Sequence, residues 1–451
     1  MLIRFVVNNL YSFGKETEFN MLPWRIGRLS HHKYLHQGTE ILKQTVIYGA
    51  NGAGKSNLIK SIGLLKKLVI SGELPIELTT QKFKLSDSAK DSPVLLAIEF
   101  VNTNKAFSYA IKVNNSIVEE EELYLSGLGK EDKLIFERRT SEGKSKIRFF
   151  EGFENTNENK VLKSVIEKDL VRPDKPLLTL LKGLTNDSFD DIKACYSWFS
   201  NNIEVIFPKT VPKALVQQID IVKNFKEFTN ELVCSFNTGV VNVDSEKRSI
   251  EEYLGEDDKN KAAEIIAELK ANPKKMLGLR HNGEEVVIVN ENGNIVAKRL
   301  LLEHMGESNK KIGFHINEES DGTVRLLEYI PALRDVIYKD KVYIIDEIER
   351  SIHPLIVKEL ISKFSLDEGT KGQLIFSTHE SNLLDQDLFR QDEIWFAEKK
   401  SNGQTELYPL SEFKEHHTLD IRKGYLNGRY GAIPFLSNLH DLNWHKHAIT
   451  E

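Results

Sequence analysis

Four residues in a short glycine-rich stretch have the types and the spacing needed to hold a phosphate. Residues 45–60 read TVIYGANGAGKSNLIK and fit the pattern G-x-x-x-x-G-K-S. Such a loop turns backbone N–H groups toward phosphate oxygens, while the lysine reaches the outer phosphates and the serine hydroxyl reaches Mg²⁺. A following helix adds the positive end of its dipole. The predicted nucleotide contacts are Gly49, Ala50, Asn51, Gly52, Ala53, Gly54, Lys55, Ser56 and Asn57.

Two acids follow a second apolar run. Residues 342–347 read VYIIDE, so Asp346 and Glu347 come directly after four strand-like residues. An aspartate at the end of a buried strand can hold Mg²⁺ through its water shell. The adjacent glutamate can take a proton from an attacking water. A plain strand-to-loop turn would explain this pair by itself, but the pair together with GANGAGKS favours a nucleotide-hydrolysing site.

A third apolar run, LIFSTH at residues 374–379, ends in Ser377, Thr378 and His379. A histidine at the end of a strand beside the site can contact a terminal phosphate or hold the water. The alternative is a purely structural histidine. The position of His379 shortly after the acidic pair favours the functional interpretation.

The stretch ESDGTVRLLEYIPAL, residues 319–333, places Ser320, Gly322 and Thr323 just before a run with helical apolar spacing. A serine-glycine turn at the start of a helix is a second anion site, although a plain helix cap explains it too. We expect that it cannot easily serve the same phosphate as the glycine loop.

The elements that must position these residues follow from hydrophobic periodicity. We predict strands at 1–7, near 18–21 and at 41–48, and a helix at 57–70 whose buried face holds Leu58, Ile62, Leu65 and Val69. Short β-rich runs between 92 and 150 predict an antiparallel meander, in which the acidic run Glu119–Glu122 forms a solvated strand face. Residues 160–275 have helical spacing, and residues 277–305 return to strands around a hairpin signal at Asn292-Gly293.

Composition is that of an ordinary globular protein. Of the 451 residues 40% are hydrophobic and 28% are charged, and the formal net charge is −6, which excludes a uniformly basic nucleic-acid binder. Residues 1–60 nevertheless carry more Lys and Arg than Asp and Glu. This excess is explained either by phosphate binding together with a solvated face, or by a contact with nucleic acid. The two cysteines, Cys195 and Cys234, argue against a disulfide scaffold. Without a signal peptide pattern or an apolar run long enough for a membrane span, we expect a cytoplasmic protein with no membrane partner.

The order of GANGAGKS, SDGT, YIIDE and STH resembles the ABC-type ATPase heads of the SMC/RecF/OLD group. In those proteins the serine-glycine signature of one head binds the γ-phosphate held by the Walker A loop of another. The segments FVVNNLYSF, DEIERSIHP and RKGYLNGRYGAIPFL are most similar to one branch, the AAA-type ATPases of bacterial phage-defence operons. That branch includes the ATPase subunit of PARIS, which works with a separate TOPRIM-type nuclease, and ATPases of Septu-like and retron-linked systems.

This resemblance implies an α/β fold: an ABC-type ATPase head, with a P-loop sheet and an antiparallel β subdomain, and an inserted helical subdomain. The implied divisions are an N-terminal ATPase lobe at 1–150, a helical insertion at 151–276 and a C-terminal lobe at 277–451. The insertion matches no motif of the family.

The resemblance also implies residue roles. Lys55 would bind the β- and γ-phosphates of ATP, and Glu347 and His379 would be the catalytic base and the switch histidine. Ser320 and Gly322, with Thr323, would form the signature that acts across a dimer. The residues implied to hold Mg²⁺ are Ser56, Asp346 and Gln81, the last in the position of the Q-loop glutamine. His353 is expected at the interface between heads, or in a packing role.

The function implied is that of an ATP-hydrolysing regulatory or sensor subunit of an antiphage system. It would form ATP-dependent homodimers or higher oligomers, respond to a phage protein and control a separate effector, a TOPRIM-type or other nuclease. An alternative is a RecF- or SMC-like ATPase of DNA repair or maintenance, which the positive N-terminal segment favours. A third hypothesis, a module that keeps ATP as a structural ligand, is disfavoured by the presence of Glu347.

Overall fold

A computed structural model describes residues 1–208, 215–255, 258–281 and 284–433. The strands within these ranges are numbered in chain order: β1 Leu2–Asn8, β2 Thr17–Asn20, β3 Lys33–His36, β4 Thr39–Leu42, β5 Gln44–Tyr48, β6 Val94–Asn102, β7 Lys105–Asn114, β8 Ile117–Leu125, β9 Lys133–Ser141, β10 Lys144–Phe149, β11 Ile203–Ile206, β12 Val240–Ser249, β13 Met276–His281, β14 Glu284–Glu291, β15 Asn294–Met305, β16 Lys311–His315, β17 Val342–Ile345, β18 Gln373–Ser377, β19 Ile394–Lys399 and β20 Thr405–Pro409.

The α-helices of the same ranges are numbered in the same way: α1 Lys55–Ser71, α2 Glu77–Thr80, α3 Asn157–Val165, α4 Leu177–Leu181, α5 Asp190–Asn201, α6 Leu215–Ile221, α7 Lys223–Ser235, α8 Ile250–Leu254, α9 Lys259–Ala271, α10 Asp321–Tyr338, α11 Pro354–Leu366 and α12 Ile421–Leu426. No helix in the described ranges is long and apolar enough to cross a membrane.

The chain divides into two compact units. Of the described residues, the first unit comprises 1–207, 339–348 and 361–433; the second comprises those among 208–338 together with 349–360. The chain therefore leaves the first unit after β11 and returns just before β17, and it leaves again for residues 349–360. Residues 151–207 of the predicted helical insertion belong to the first unit, and the described residues among 208–276 belong to the second. The predicted three-part division of the chain stays a prediction.

The first unit contains a mostly parallel sheet with the strand order β11-β17-β18-β5-β19-β20, in which only β20 is antiparallel to its neighbour. Every residue of β5, β17 and β18 is buried, as in a sheet covered on both faces. Parallel strands end at the same edge of a sheet, where ligands of such sheets bind. This edge therefore gathers the residues that follow β5, β17 and β18.

Helix α1 follows the glycine loop, and the residues predicted to form its buried face are all buried: Leu58, Ile62, Leu65 and Val69. The helix ends at Gly72, whose φ of 69° is left-handed and whose N–H donates to the carbonyl of Leu68. The helix predicted at 57–70 is thus confirmed. The single strand predicted at 41–48 is instead two strands, because β4 pairs with β3 whereas β5 enters the parallel sheet.

A second sheet of the first unit is antiparallel, with the order β10-β9-β8-β7-β6-β1-β2. It confirms the meander predicted between 92 and 150, and β7 alternates buried and partly exposed residues along most of its length. The α/β class, with a P-loop sheet and an antiparallel β subdomain, is confirmed.

The prediction that Glu119–Glu122 is a solvated face is wrong for Glu121. The two-residue period of β8 places Glu121 on the buried face with Leu123. Its carboxylate accepts hydrogen bonds from Tyr109 and from the N–H groups of Leu177 and Leu178, and it lies 3.6 Å from the buried Arg138 guanidinium. Burial raises the pKa of Glu121, and Arg138 and the two N–H groups oppose that rise.

The second unit is built on an antiparallel sheet with the order β12-β15-β14-β13, and β16 also pairs with β15. Successive residues of β14 enter two different apolar clusters: Val287 and Val289 pack with residues of α6, α7 and α10, and Val286 and Ile288 pack with residues of α8 and α9. Both faces of β14 are covered, which explains its continuous apolar run. The predicted hairpin is confirmed, with φ of 54° at Asn292 and 93° at Gly293.

Candidate nucleotide-binding site

The glycine loop connects β5 to α1 at the carboxyl edge of the parallel sheet. Its backbone needs glycine at two positions. Gly54 has a φ of 112°, and a Cβ there would lie 2.1 Å from the Thr405 hydroxyl oxygen. A Cβ at Gly49 would lie 2.4 Å from the carbonyl oxygen of Ala397. Close backbone packing against β19 and β20 therefore sets the shape of the loop.

Two hydroxyl side chains, the buried Thr405 and the partly exposed Ser12, contact the loop. The Thr405 hydroxyl lies 2.8 Å from the Ala53 carbonyl oxygen and 2.7 Å from Ser12 Oγ. The Thr405 N–H donates to the Ser12 carbonyl, and the Asn57 amide donates to Ser12 Oγ. Sequence reasoning missed both residues. Ser12 lay in a segment noted only for its resemblance, and no pattern marked Thr405.

Lys55 begins α1 and is only 4% exposed. Its Nζ donates to the carbonyl of Gly49 at 2.7 Å and to that of Ala50 at 3.3 Å, and it lies 3.4 Å from Nδ1 of His379. The His379 side chain is exposed. The structure thus brings together two predicted phosphate-binding residues that are far apart in sequence.

Three oxygen-bearing side chains meet beside Lys55. Asp346, at the end of β17, is 3% exposed, and its Oδ1 accepts hydrogen bonds from Ser56 Oγ at 3.0 Å and from Ser377 Oγ at 2.7 Å. Carboxylate and hydroxyl oxygens are the ligands that Mg²⁺ prefers in proteins. The first turn of α1 adds the positive end of the helix dipole. Together with it, these oxygens fit a magnesium nucleotide.

Glu347 is partly buried and has a φ of 54°, in the left-handed region. Its N–H donates to Ser377 Oγ at 2.9 Å. No described residue hydrogen-bonds to the Glu347 carboxylate.

Gln81 is not joined to this cluster. It directly follows α2, where its N–H donates to the Glu77 carbonyl and its own carbonyl accepts from the Tyr11 N–H. Among the described residues, no hydrogen bond links the Gln81 side chain to Ser56 or Asp346. Its assignment as a magnesium contact therefore stays a prediction from the resemblance.

The serine-glycine segment belongs to the second unit. Ser320 is exposed, and its Oγ accepts a hydrogen bond from the N–H of Thr323 at 3.2 Å, which is the geometry of an N-cap of α10. Gly322 packs closely, since a Cβ there would lie 2.7 Å from the carbonyl oxygen of Ser351. His353, also exposed, accepts the Leu355 N–H at the start of α11.

A family model matches most of the sequence. The family model described as "AAA domain, putative AbiEii toxin, Type IV TA system" matches residues 45–385, which is well over half of the chain. That range includes the glycine loop, the serine-glycine segment, the acidic pair and His379. No curated protein matches the sequence.

Several solved structures of SMC heads are similar at low scores. An Smc head bound to the C-winged helix domain of ScpA has 12% identity and a TM-score of 0.41, over 92% of this chain and 99% of that one. The SMC head of Thermotoga maritima has 10% identity and a TM-score of 0.38, over 90% and 98%. A Pyrococcus furiosus Smc head bound to the C-terminal domain of ScpA has 11% identity and a TM-score of 0.40, over 95% and 98%.

TM-scores below 0.5 are too low to transfer any property of those heads, so the assignment depends on the sequence match. That match covers the loop that holds Lys55 and the strand that carries Asp346, which the parallel sheet brings to one edge. The chain belongs to the AAA-domain family described as putative AbiEii toxin of type IV TA systems.

Proposed function

We propose that this chain binds ATP with Mg²⁺ and hydrolyses it. The observation that carries the proposal is the convergence of Lys55, Ser56, Asp346 and Glu347 at one edge of the parallel sheet, with Ser56 and Asp346 joined by a hydrogen bond of 3.0 Å. A bound Mg²⁺ would neutralise charge on the phosphate oxygens.

The residues of the chain would then divide the work. The Lys55 ammonium, which donates to two loop carbonyls, would turn toward the outer phosphates. The Ser56 hydroxyl and the Asp346 carboxylate would hold the metal. The Glu347 carboxylate would accept a proton from the attacking water. His379, 3.4 Å from Lys55, would hold the γ-phosphate or that water.

We further propose that two copies of the chain enclose the nucleotide. Ser320, Gly322 and Thr323 of one copy would contact the γ-phosphate held by the glycine loop of the other. The exposure of Ser320 and its position at the start of the 18-residue helix α10 support this role, because the N-terminus of a long helix attracts anions. The assembly would be a homodimer or a higher oligomer.

We propose that the cellular role is regulation of a toxic effector during phage infection. The description of the matched family links AAA domains to toxin–antitoxin systems. In this proposal a phage protein triggers the assembly, and the assembly holds or releases a separate effector, a TOPRIM-type or other nuclease. Copurification with the products of neighbouring genes tests the partner.

The hydrolytic role is tested by measuring ATP binding, ATP turnover and particle size for the wild type and Glu347→Gln. The variant should bind ATP with unchanged affinity, turn it over roughly 10²–10⁴-fold more slowly and accumulate as an oligomer. Glu73→Gln, an exposed carboxylate near the far end of α1, is the matched control. Wild-type turnover by Glu347→Gln would remove Glu347 from the role of base.

Complementation tests the enclosure by two copies. Lys55→Ala has a defective loop but keeps the serine-glycine segment, and Ser320→Ala has a defective segment but keeps the loop. Every shared site of either variant alone contains the defective half, so each alone should be nearly inactive. A mixture can pair the intact loop of one with the intact segment of the other. Turnover by the mixture should exceed the sum of its components; simple additivity would contradict a shared site.

The alternative of a DNA-binding ATPase depended on the positive charges of residues 1–60. Four of them lie in ion pairs with nearby carboxylates: Arg4, Lys15, Arg28 and Lys33. Lys43 and Lys55 are buried. The charge available to duplex DNA is therefore smaller than the sequence indicated. Tight ATP-dependent binding with a steep salt dependence in a gel shift would favour the alternative.

A further inference from the structure

Ser377 is fully buried at the end of β18 and makes three contacts with consecutive residues of a neighbouring strand end. Its hydroxyl donates to Asp346 Oδ1 at 2.7 Å and accepts the Glu347 N–H at 2.9 Å. Its carbonyl accepts the Ile348 N–H at 3.1 Å. One residue, two positions before His379, therefore holds the whole segment that carries the metal and base carboxylates.

The contact with Glu347 matters because of the Glu347 backbone. A φ of 54° is in the left-handed region, which costs a non-glycine residue about 1–2 kcal/mol. The hydrogen bond to Ser377 Oγ satisfies the N–H of Glu347 in that conformation. The direction of the Glu347 side chain is set by this backbone conformation, so it depends on the Ser377 hydroxyl.

The direction of the hydrogen bond between Ser377 and Asp346 follows from the number of protons available. A serine hydroxyl has one proton, and the Glu347 N–H is itself a donor, so the proton of Ser377 goes to Asp346 Oδ1. The same oxygen accepts the Ser56 hydroxyl at 3.0 Å. If Ser56 turns away toward a metal ion, Ser377 alone still holds the Asp346 carboxylate in place.

From this geometry we propose that Ser377 is a positioning residue of the ATPase, whose single hydroxyl orients the metal-binding carboxylate and the backbone of the base together. This inference rests on the proposed function. It predicts that removing the hydroxyl lowers turnover and the affinity for Mg²⁺, with little effect on the affinity for the nucleotide, which the loop and Lys55 hold.

The test compares Ser377→Thr with Ser377→Val. The two side chains have the same shape and crowd the buried site equally, but only threonine keeps the hydroxyl. Ser411→Ala is the control for losing a buried serine hydroxyl, because Ser411 Oγ has no hydrogen-bond partner among the described residues. Melting temperatures verify that all variants are folded.

We expect Ser377→Val to lower kcat by roughly 10–100-fold relative to Ser377→Thr, the usual range for residues that orient metal ligands. KM for ATP should change by less than about threefold, a shift that corresponds to a fraction of a kcal/mol. Binding of a fluorescent ATP analogue, measured without turnover, should require more Mg²⁺ for Ser377→Val than for Ser377→Thr.

Equal kcat and equal Mg²⁺ dependence for the two variants would overturn the inference, whether both are active or both are impaired. This outcome differs from failure of the proposed function. If the wild type does not hydrolyse ATP, the ATPase assignment itself falls. If the wild type is active and the Thr and Val variants match each other, only the role of Ser377 falls.

Discussion

Lys55 Nζ lies 3.4 Å from Nδ1 of His379, so the side chain that begins α1 meets the side chain that follows β18. The two side chains belong to residues 324 positions apart in the sequence. The pairing of β5 with β18 in the parallel sheet brings them together.

Lys55→Ala should weaken ATP binding strongly. The substitution removes the charged donor to the phosphates, and hydrogen bonds to charged groups contribute about 1.5–3 kcal/mol each, so we expect a loss of roughly 10–100-fold or more in affinity. A fluorescent ATP analogue measures it. Lys60→Ala, on the exposed side of the same helix, should bind normally. Equal affinity of the two variants would contradict the assignment of the loop.

Gly54→Ala should damage the loop far more than Gly52→Ala. Both glycines have positive φ, 112° and 76°, but a Cβ at Gly54 would lie 2.1 Å from the Thr405 hydroxyl oxygen. Around a Cβ at Gly52, apart from the adjacent residues, no atom of the described part of the chain lies within 4 Å. The Gly52 variant should bear only the backbone strain of about 1–2 kcal/mol. Melting temperature and ATP affinity distinguish them. A Gly54 variant as stable as the Gly52 variant would contradict the packing against Thr405.

Glu121→Ala should destabilise the first unit by about 3–5 kcal/mol, because it leaves the buried Arg138 guanidinium without its carboxylate. Glu120→Ala is the neighbouring control. Glu120 pairs with Lys112, a partly exposed contact of which about 0–1 kcal/mol is expected. Urea unfolding measures both. Similar midpoints for the two variants would show that the Glu121 contacts add little.

Lys43 should make the protein more stable as the pH rises above 8. It is 1% exposed, and burial lowers its pKa to about 8. The unfolded chain keeps the proton up to the ordinary lysine pKa of about 10.4, so between these values it binds more protons than the native state. The free energy of unfolding then rises with pH, by up to about 1.4 kcal/mol per unit.

Lys43→Met removes this titration, so the difference in unfolding free energy between wild type and variant should shift in favour of the wild type from pH 8 to 10.5. Lys90→Met, at an exposed position, supplies the control. A difference that does not change with pH would mean that Lys43 titrates alike in both states.

Much of the fold was predictable from local patterns. The apolar runs before Gly49, Asp346 and His379 indicated strands, and the structure places all three in one parallel sheet. The 3.6-residue period of the apolar residues indicated α1, and short β-rich runs separated by turn residues indicated the meander. These features depend on residues close in sequence, so they can be read without knowing the neighbours.

The contacts between distant segments could not be predicted in this way. The sequence analysis named Ser377 only as part of the run that ends in His379, without predicting its contacts. No sequence pattern indicated that Thr405 contacts the loop. The acidic run on β8 looked uniformly solvated, yet Glu121 is buried because its partner Arg138 comes from β9. The assignment of Gln81 came from its family position and stays a prediction, since no hydrogen bond among the described residues links its side chain to Ser56 or Asp346.

The amino-acid sequence by itself determined which side chains stand at the ends of the strands and which loop can hold a phosphate, because strand, helix and turn follow from spacing along the chain. The tertiary structure alone decided which of those ends are adjacent. Adjacency follows from the strand order β17-β18-β5, in which β5 pairs with a strand that comes hundreds of residues later in the chain. Only that order puts the hydroxyl of Ser377 between the Asp346 carboxylate and the backbone N–H of Glu347.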